Sequence, residues 1–314
     1  MMLPPQPPRL SLARLPTPLQ AWDRSSAQLE AERGGEPLRI WVKRDDLTGS
    51  VLSGNKVRKL EFTLAQALEE GCSILHARYG NEVLIAQTWD MHATAEPFCL
   101  MLFLPDEGVW VLTITGCLAL CGLSSDGLAV RINNLVMSDA RVGISWPTLV
   151  RKMLRAGSVE AAEQVLLNSP VGSGHHYALV DAHSSKAWES SGSDNALIYD
   201  GQTSPYVHTN HCLDLKMQDL SRISPTSTTH HRYAQATALL EQNPTPNSDE
   251  LWEMMNCRID FPNSLFTDRT TEATPHGIAT CARVLMDCKR REIWARGGKD
   301  AEQTPLKFDW GVRV

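Results

Sequence analysis

Gly71-Cys72-Ser73-Ile74-Leu75-His76-Ala77-Arg78-Tyr79 and Val83-Leu84-Ile85-Ala86-Gln87-Thr88-Trp89-Asp90-Met91-His92, separated by Gly80-Asn81-Glu82, decide how this chain is read. Residues 74–79 and 83–88 are short apolar runs, and the glycine and asparagine between them suit a hairpin turn. Cys72 stands at the head of the first run and Asp90 just beyond the second. Strand patterns then recur at residues 98–104, 109–115, 127–133, 176–180, 187–191 and 207–210, with a final pair at 283–287 and 292–296. Helical patterns fall at 146–156, at 158–169, where Ser158 and Glu160 supply a cap and an acidic first turn, and at 232–242. Runs of strands separated by runs of helices predict layered α+β packing rather than alternating βαβ units.

Upstream of Cys72 the texture differs. A proline-rich lead precedes a helical pattern at 20–33, a strand at 38–43, a turn-rich segment at 44–55 and a helix at 56–70, which Gly71 is placed to close as a C-cap. These elements make an incomplete α/β segment. Residues 1–71 and 72–314 therefore read as two regions of different origin.

With 314 residues, 42% hydrophobic and 21% charged, the chain has the balance of a globular protein with a substantial core. A net charge of −6 offers no footprint for nucleic acid or anionic membranes. Prolines 4, 5, 7 and 8 stand where a signal peptide needs an apolar run, and no charge-free stretch reaches membrane-spanning length, so a cytoplasmic location is expected. The eight cysteines lack a repeating spacing and read mostly as reduced core residues. Cys117 and Cys121 have no second pair at zinc spacing, and His208 and His211 read as a packed or solvated pair, so no metal is expected. Oligomeric state is left open by the sequence.

A cysteine at a chain's own N-terminus can work without a histidine, because an α-amino group with a pKa near ~8 takes the thiol proton at neutral pH. That amine is released only if the Gly71–Cys72 bond is cut, and glycine before the thiol eases the turn such a cut requires. Taken singly, Cys72 also reads as a small buried residue, Asp90 as a turn acid, and Asn210, in His208-Thr209-Asn210-His211, as a strand-end amide.

Gly71-Cys72, Gln87-Thr88-Trp89-Asp90-Met91-His92, the strand pair around residues 122–130, Asn133-Asn134-Leu135 and His208-Thr209-Asn210-His211 together resemble the C45 peptidases. This is the acyl-CoA:6-aminopenicillanate acyltransferase family of N-terminal nucleophile hydrolases. The resemblance runs from Cys72 to about Trp310. It implies a four-layer αββα sandwich, Cys72 as nucleophile, Asp90 organising its amine and its maturation, and Asn210 as an oxyanion donor. It also implies autoprocessing at Gly71–Cys72, no cofactor, and a small amide, peptide or acyl thioester as substrate, a CoA thioester included. Two places depart from the family: Ser73 is followed by Ile74 rather than a second hydroxyl residue, and the Ser-x-Cys-Arg segment reads Ser264-Leu265-Phe266-Thr267, with Arg269 displaced by two. The second departure bears on the binding of a substrate carboxylate.

Trp41-Val42-Lys43-Arg44-Asp45-Asp46-Leu47-Thr48-Gly49 and Ser53-Gly54-Asn55-Lys56 resemble the N-terminal segment of D-cysteine desulfhydrase and 1-aminocyclopropane-1-carboxylate deaminase, fold-type II pyridoxal-phosphate enzymes. There the lysine matching Lys56 binds the cofactor, so the alternative is a pyridoxal-phosphate lyase. The family's Ser-Asn-His segment and glycine-rich phosphate loop do not follow Lys56. A third reading is an inactive fusion of two fragments.

Overall fold

The computed structural model describes residues 18–35, 39–44, 71–201 and 205–310. The chain divides into two units, Met1–Leu68 and Glu69–Val314. In the first, β1 (Leu19–Ala21) runs antiparallel to β2 (Trp41–Lys43), and α1 (Asp23–Glu32) connects them. The helix expected from residue 20 starts later, because Leu19, Gln20 and Ala21 are taken into the ladder with Lys43, Val42 and Trp41. Lys56 and the helix expected at 56–70 lie outside the described residues.

The second unit begins with β3 (Gly71–Tyr79) and β4 (Glu82–His92), then a 3-10 turn at Ala93–Phe98, β5 (Cys99–Leu104), β6 (Val109–Ile114), β7 (Cys121–Ser124) and β8 (Ala129–Asn134). Helices α2 (Trp146–Leu154) and α3 (Val159–Leu167) precede β9 (His175–Val180), β10 (Ser185–Ser190), β11 (Asn195–Asp200) and β12 (Tyr206–His208). Then come α4 (Leu215–Leu220), α5 (Thr229–Gln242), α6 (Ser248–Met255), β13 (Ile278–Asp287), β14 (Glu292–Gly297) and β15 (Leu306–Phe308).

Two antiparallel sheets result, one of seven strands ordered β11-β10-β9-β8-β7-β6-β5 and one of six ordered β12-β3-β4-β13-β14-β15. Helices α2 and α3 cover the first sheet, α5 and α6 the second, and β3 faces β8 across the gap between the sheets. These are the four layers of the αββα sandwich of the N-terminal nucleophile type.

Strands buried on both faces explain the near-continuous apolar runs. In β4, Val83, Ile85, Trp89 and Met91 join the core between the sheets, whereas Leu84 and Ala86 turn to the other face and meet Ala236, Leu240, Leu251 and Trp252 of α5 and α6. Ser158 caps α3 as expected, accepting the Ala161 N–H.

The helix that Gly71 was expected to cap lies outside the described residues. Gly71 itself is the first residue of β3, paired with Asp90, since the β4 ladder reaches back far enough to take the backbone of residues 71–73. Gly127 closes the turn between β7 and β8 at a φ of +94°, where a Cβ would sit 2.4 Å from the Cys288 carbonyl oxygen. Of the elements without a counterpart in the sequence reading, α6 carries a legible signal. Its capping box joins Asn247 and Glu250 through reciprocal side-chain and backbone hydrogen bonds. Edge strand β11 is only half-buried, which blurs its period.

Among the described residues no helix is long and apolar enough to cross a membrane. Ile85 is fully buried between the sheets at the middle of β4. Ile85→Ala is predicted to lower stability by about 2–5 kcal/mol in urea titrations, the usual cost of an unfilled aliphatic cavity.

Candidate active site

The β3–β4 hairpin brings the two ends of its sequence signature together. Gly71 lies opposite Asp90 and Cys72 opposite Trp89, at the head of β3. Only 3% of Cys72 is exposed. Its Sγ donates toward the Ile132 carbonyl at 3.3 Å and receives Asn133 Nδ2 at 3.1 Å. Asn210 Nδ2 stands 3.8 Å from the same sulfur, and its Oδ1 accepts the Cys72 backbone N–H at 2.8 Å. One carboxamide thus faces both the thiol and the nitrogen that a cut at Gly71–Cys72 would turn into an amine.

Asn210 is held from three sides. Its backbone N–H donates to Thr229 Oγ1, its Nδ2 to the Asn134 carbonyl at 3.1 Å, and its Oδ1 accepts from Arg232 Nη2 at 2.9 Å. Arg232, from the first turns of α5, also sends Nη1 to the Cys72 carbonyl and to Ser73 Oγ, each at 2.8 Å. Gln87 reaches across the gap between the sheets to donate Nε2 to the Ile132 carbonyl.

Asp90 Oδ1 accepts from Thr280 Oγ1 at 2.7 Å, while its buried Oδ2 has no hydrogen-bond partner among the described residues. That oxygen and Arg232 crowd the residue before the thiol: a Cβ at Gly71 would lie 3.4 Å from Asp90 Oδ2 and 3.2 Å from Arg232 Nη2. Glycine here leaves room for both.

Burial raises the Cys72 thiol to about 11; Arg232 works against this and Asp90 adds to it. In the uncut chain the sulfur is therefore protonated at neutral pH. Burial also pushes the Asp90 carboxyl up to about 6, opposed by Arg232, the Thr280 hydrogen bond and Arg269. Burial lowers the Arg232 guanidinium from its usual range, with Asp90 and Cys72 pulling it back up.

Cys72, Asp90 and Asn210, singled out in the sequence, therefore meet in one site. Arg232 and Thr280 were not singled out, and Gln87 and Asn133 stood only inside motifs. Arg269, displaced in sequence, is close enough to Asp90 and Arg232 to act on both electrostatically, and its buried Nε has no hydrogen-bond partner among the described residues. His208 and His211 take different partners, Asn133 and Glu189 for the first, Thr209 and Thr229 for the second. Cys121 is a buried thiol against Arg131 Nη1.

The four layers are the fold of the N-terminal nucleophile class, and the buried cysteine stands at a strand head within it. A conjugated bile acid hydrolase from Clostridium perfringens shares the fold, with a TM-score of 0.54, 13% identity, and coverage of 75% of this chain and 92% of that one. The family model for acyl-coenzyme A:6-aminopenicillanic acid acyl-transferase matches residues 77–302, and the chain belongs to that family. Short matches at the N-terminal end connect it to other proteins. A bifunctional D-cysteine desulfhydrase/1-aminocyclopropane-1-carboxylate deaminase of Arabidopsis thaliana is 48% identical over 60 residues, which are 19% of this chain and 13% of that protein. A putative 1-aminocyclopropane-1-carboxylate deaminase of Pyrococcus abyssi is 46% identical over 65 residues, 21% of this chain and 18% of its own length. The chain thus spans under a fifth of these curated relatives.

Folded Asp90 holds its proton more tightly than it does in the unfolded chain. Its contribution to stability is present below about pH 4 and is lost as the pH rises through about 6. In a Cys72→Ala background, so that single chains are compared, Asp90→Asn is predicted to gain about 1–3 kcal/mol at about pH 7.5 and almost nothing near pH 3.5, read by urea titration.

Proposed function

We propose that the chain is a cysteine N-terminal nucleophile enzyme that cuts its own Gly71–Cys72 bond and then hydrolyses or transfers an acyl group from a small amide, peptide or acyl thioester. The convergence of Cys72, Asp90, Asn210 and Arg232 at the head of β3 carries this reading. Residues 1–71 then stand in the place of a propeptide and residues 72–314 form the acyl-transfer domain.

In the first step the Cys72 thiol adds to the Gly71 carbonyl carbon. The C–N bond breaks, the thiol proton goes to the departing nitrogen, and Gly71 is left as a thioester on Cys72 with the Cys72 amine free. Water hydrolyses the thioester, giving a Gly71 carboxylate and the restored thiol. Asp90 Oδ2, buried and without a hydrogen-bond partner beside Gly71, is suited to receive an N–H of the new amine.

In turnover the amine takes the thiol proton, and the thiolate attacks the acyl carbon of the substrate. The proton then passes to the leaving amine or thiol, and water or an acceptor amine takes the acyl group from the sulfur. Asn210 Nδ2 and Asn133 Nδ2, both aimed at Sγ, are the candidate oxyanion donors, each worth about 3 kcal/mol in such a role. Arg269 is the candidate partner for a substrate carboxylate. A cleft of about 440 Å³, lined by His211, Cys212, Leu213, Gln218, Ser221, Ile223 and His230, follows Asn210 in the chain and has the size of a small-molecule pocket.

A panel of acyl amides and acyl-CoA thioesters tests this. Activity is expected to vanish in Cys72→Ala and to fall about 10²–10³-fold in kcat in Asn210→Ala. Turnover that survives Cys72→Ala contradicts the reading.

A second reading, a pyridoxal-phosphate lyase using Lys56, is supported by the 48% identity over 60 residues. Titration of the full chain with pyridoxal phosphate tests it. A visible absorbance band lost in Lys56→Ala supports the lyase, and a colourless protein removes it.

A further inference from the structure

Behind Asn133 lies a buried polar cluster that the chemistry above does not use. Strand β8 turns Arg131 and Asn133 to the same face, toward the six-stranded sheet, where Arg131 Nη2 meets the Ile85 carbonyl and Asn133 meets Cys72. Asn133 Nδ2 donates to the Cys72 carbonyl at 3.0 Å as well as to Sγ. A backbone carbonyl only accepts, so the carboxamide has one possible orientation, with Oδ1 pointing away from Cys72. There Oδ1 meets two imidazoles, His176 Nδ1 at 2.8 Å and His208 Nδ1 at 3.0 Å. The two rings are stacked with centroids 3.7 Å apart.

Hydrogen-bond accounting then assigns the protons. An amide oxygen cannot donate, so both Nδ1 atoms carry hydrogen. His176 Nε2 lies 2.9 Å from the Tyr206 hydroxyl, which donates to it when the ring is neutral with its proton on Nδ1. Burial, aided by His208, holds His176 well below its ordinary range, in keeping with neutrality. His208 Nε2 lies 2.9 Å from Glu189 Oε1. The same carboxyl accepts the backbone N–H of Leu213 at 2.6 Å on Oε1 and of Asp214 at 3.1 Å on Oε2. Two backbone donors favour the carboxylate, so the proton between Nε2 and Oε1 belongs to the ring. Glu189, His208, His176 and Asn133 are all fully buried. Among the described residues, Tyr206 and His211 also face His208.

We propose that His208 is a positioning residue, kept as an imidazolium by Glu189, which together with neutral His176 locks the Asn133 carboxamide onto Cys72 and strengthens its Nδ2–H as a donor to the sulfur. The Glu189–His208 pair is neutral in sum. Its positive end, however, is the one joined to Asn133, with the carboxylate one ring further back. A thiolate, or an oxyanion formed beside it, therefore gains from the near charge more than it loses from the far one. A role confined to packing would need neither that charge nor these two tautomers. The proposal rests on Cys72 being the nucleophile, as inferred under Proposed function.

The test uses the full chain labelled with [15N]histidine, its imidazole resonances correlated at neutral pH and assigned with His208→Gln and His176→Gln. His208 is expected to show both ring nitrogens protonated and His176 only Nδ1. A neutral His208, or a His176 protonated at Nε2, overturns the proposal, and this readout on the wild-type chain stands even where a variant fails to fold. The second measurement is the pH profile of Cys72 alkylation by iodoacetamide, followed by peptide mass mapping. Glu189→Gln is expected to raise the apparent thiol pKa by about one unit, a tenfold loss of thiolate, and to lower kcat with KM within about twofold. An unchanged alkylation profile in a folded variant refutes the electrostatic role. Should the resonances and the profile come out as expected in a chain that neither cuts itself nor turns over an acyl substrate, the hydrolase reading fails and the clamp stands. A processed, active chain with a neutral His208 is the reverse case.

Discussion

The site depends on the burial of a polar strand head between two sheets. Residues 71–73 lie where the six-stranded sheet faces β8, out of water, so each polar atom there needs a protein partner or carries a cost of about 1–3 kcal/mol. Arg232 answers for the Cys72 carbonyl and Ser73 Oγ, and Asn210 for the Cys72 N–H. Asn133 binds the same carbonyl from the other sheet. One backbone carbonyl is thereby gripped from both sides of the sandwich, which fixes the sulfur relative to its donors.

This satisfaction is deliberately incomplete. Asp90 Oδ2 and the Arg269 Nε are buried without hydrogen-bond partners among the described residues, both in the electrostatic reach of Arg232. Unmet groups cost stability and are found where a ligand or a reacting atom meets them. A carboxylate oxygen beside Gly71 and a guanidinium nearby match two such needs in acyl transfer, an amine to be oriented and an anionic group to be held. The raised Asp90 carboxyl is the expression of that cost in proton affinity.

Much of the fold could be read from local pattern. The β3–β4 hairpin was legible because its turn, apolar runs and two functional residues are contiguous, and Asn210 because it sits in a compact motif of unusual composition. Arg232 was not, since α5 docks on β3 by tertiary packing and a lone arginine within a helical pattern carries no local mark of where it points. Asn133 was visible only as part of a matched run, and Glu189, His176 and Tyr206 come from three different strands whose side chains converge only when the sheets close. Arg269 shows the opposite limit: a shift of two residues in a loop, which looks like a loss in sequence, still leaves the guanidinium within electrostatic reach of the site.

The N-terminal end is similar to D-cysteine desulfhydrase and 1-aminocyclopropane-1-carboxylate deaminase proteins, of which under a fifth of the length is represented. The Gly71–Cys72 bond lies inside β3, at the residues the site is built around. The N-terminal residue of each chain in the purified protein, determined by Edman sequencing with intact mass, tests the account most directly. A fragment beginning at Cys72 in the wild-type protein and a single uncut chain in Cys72→Ala are predicted. A wild-type protein whose Gly71–Cys72 bond stays whole while it turns over acyl substrates would contradict it.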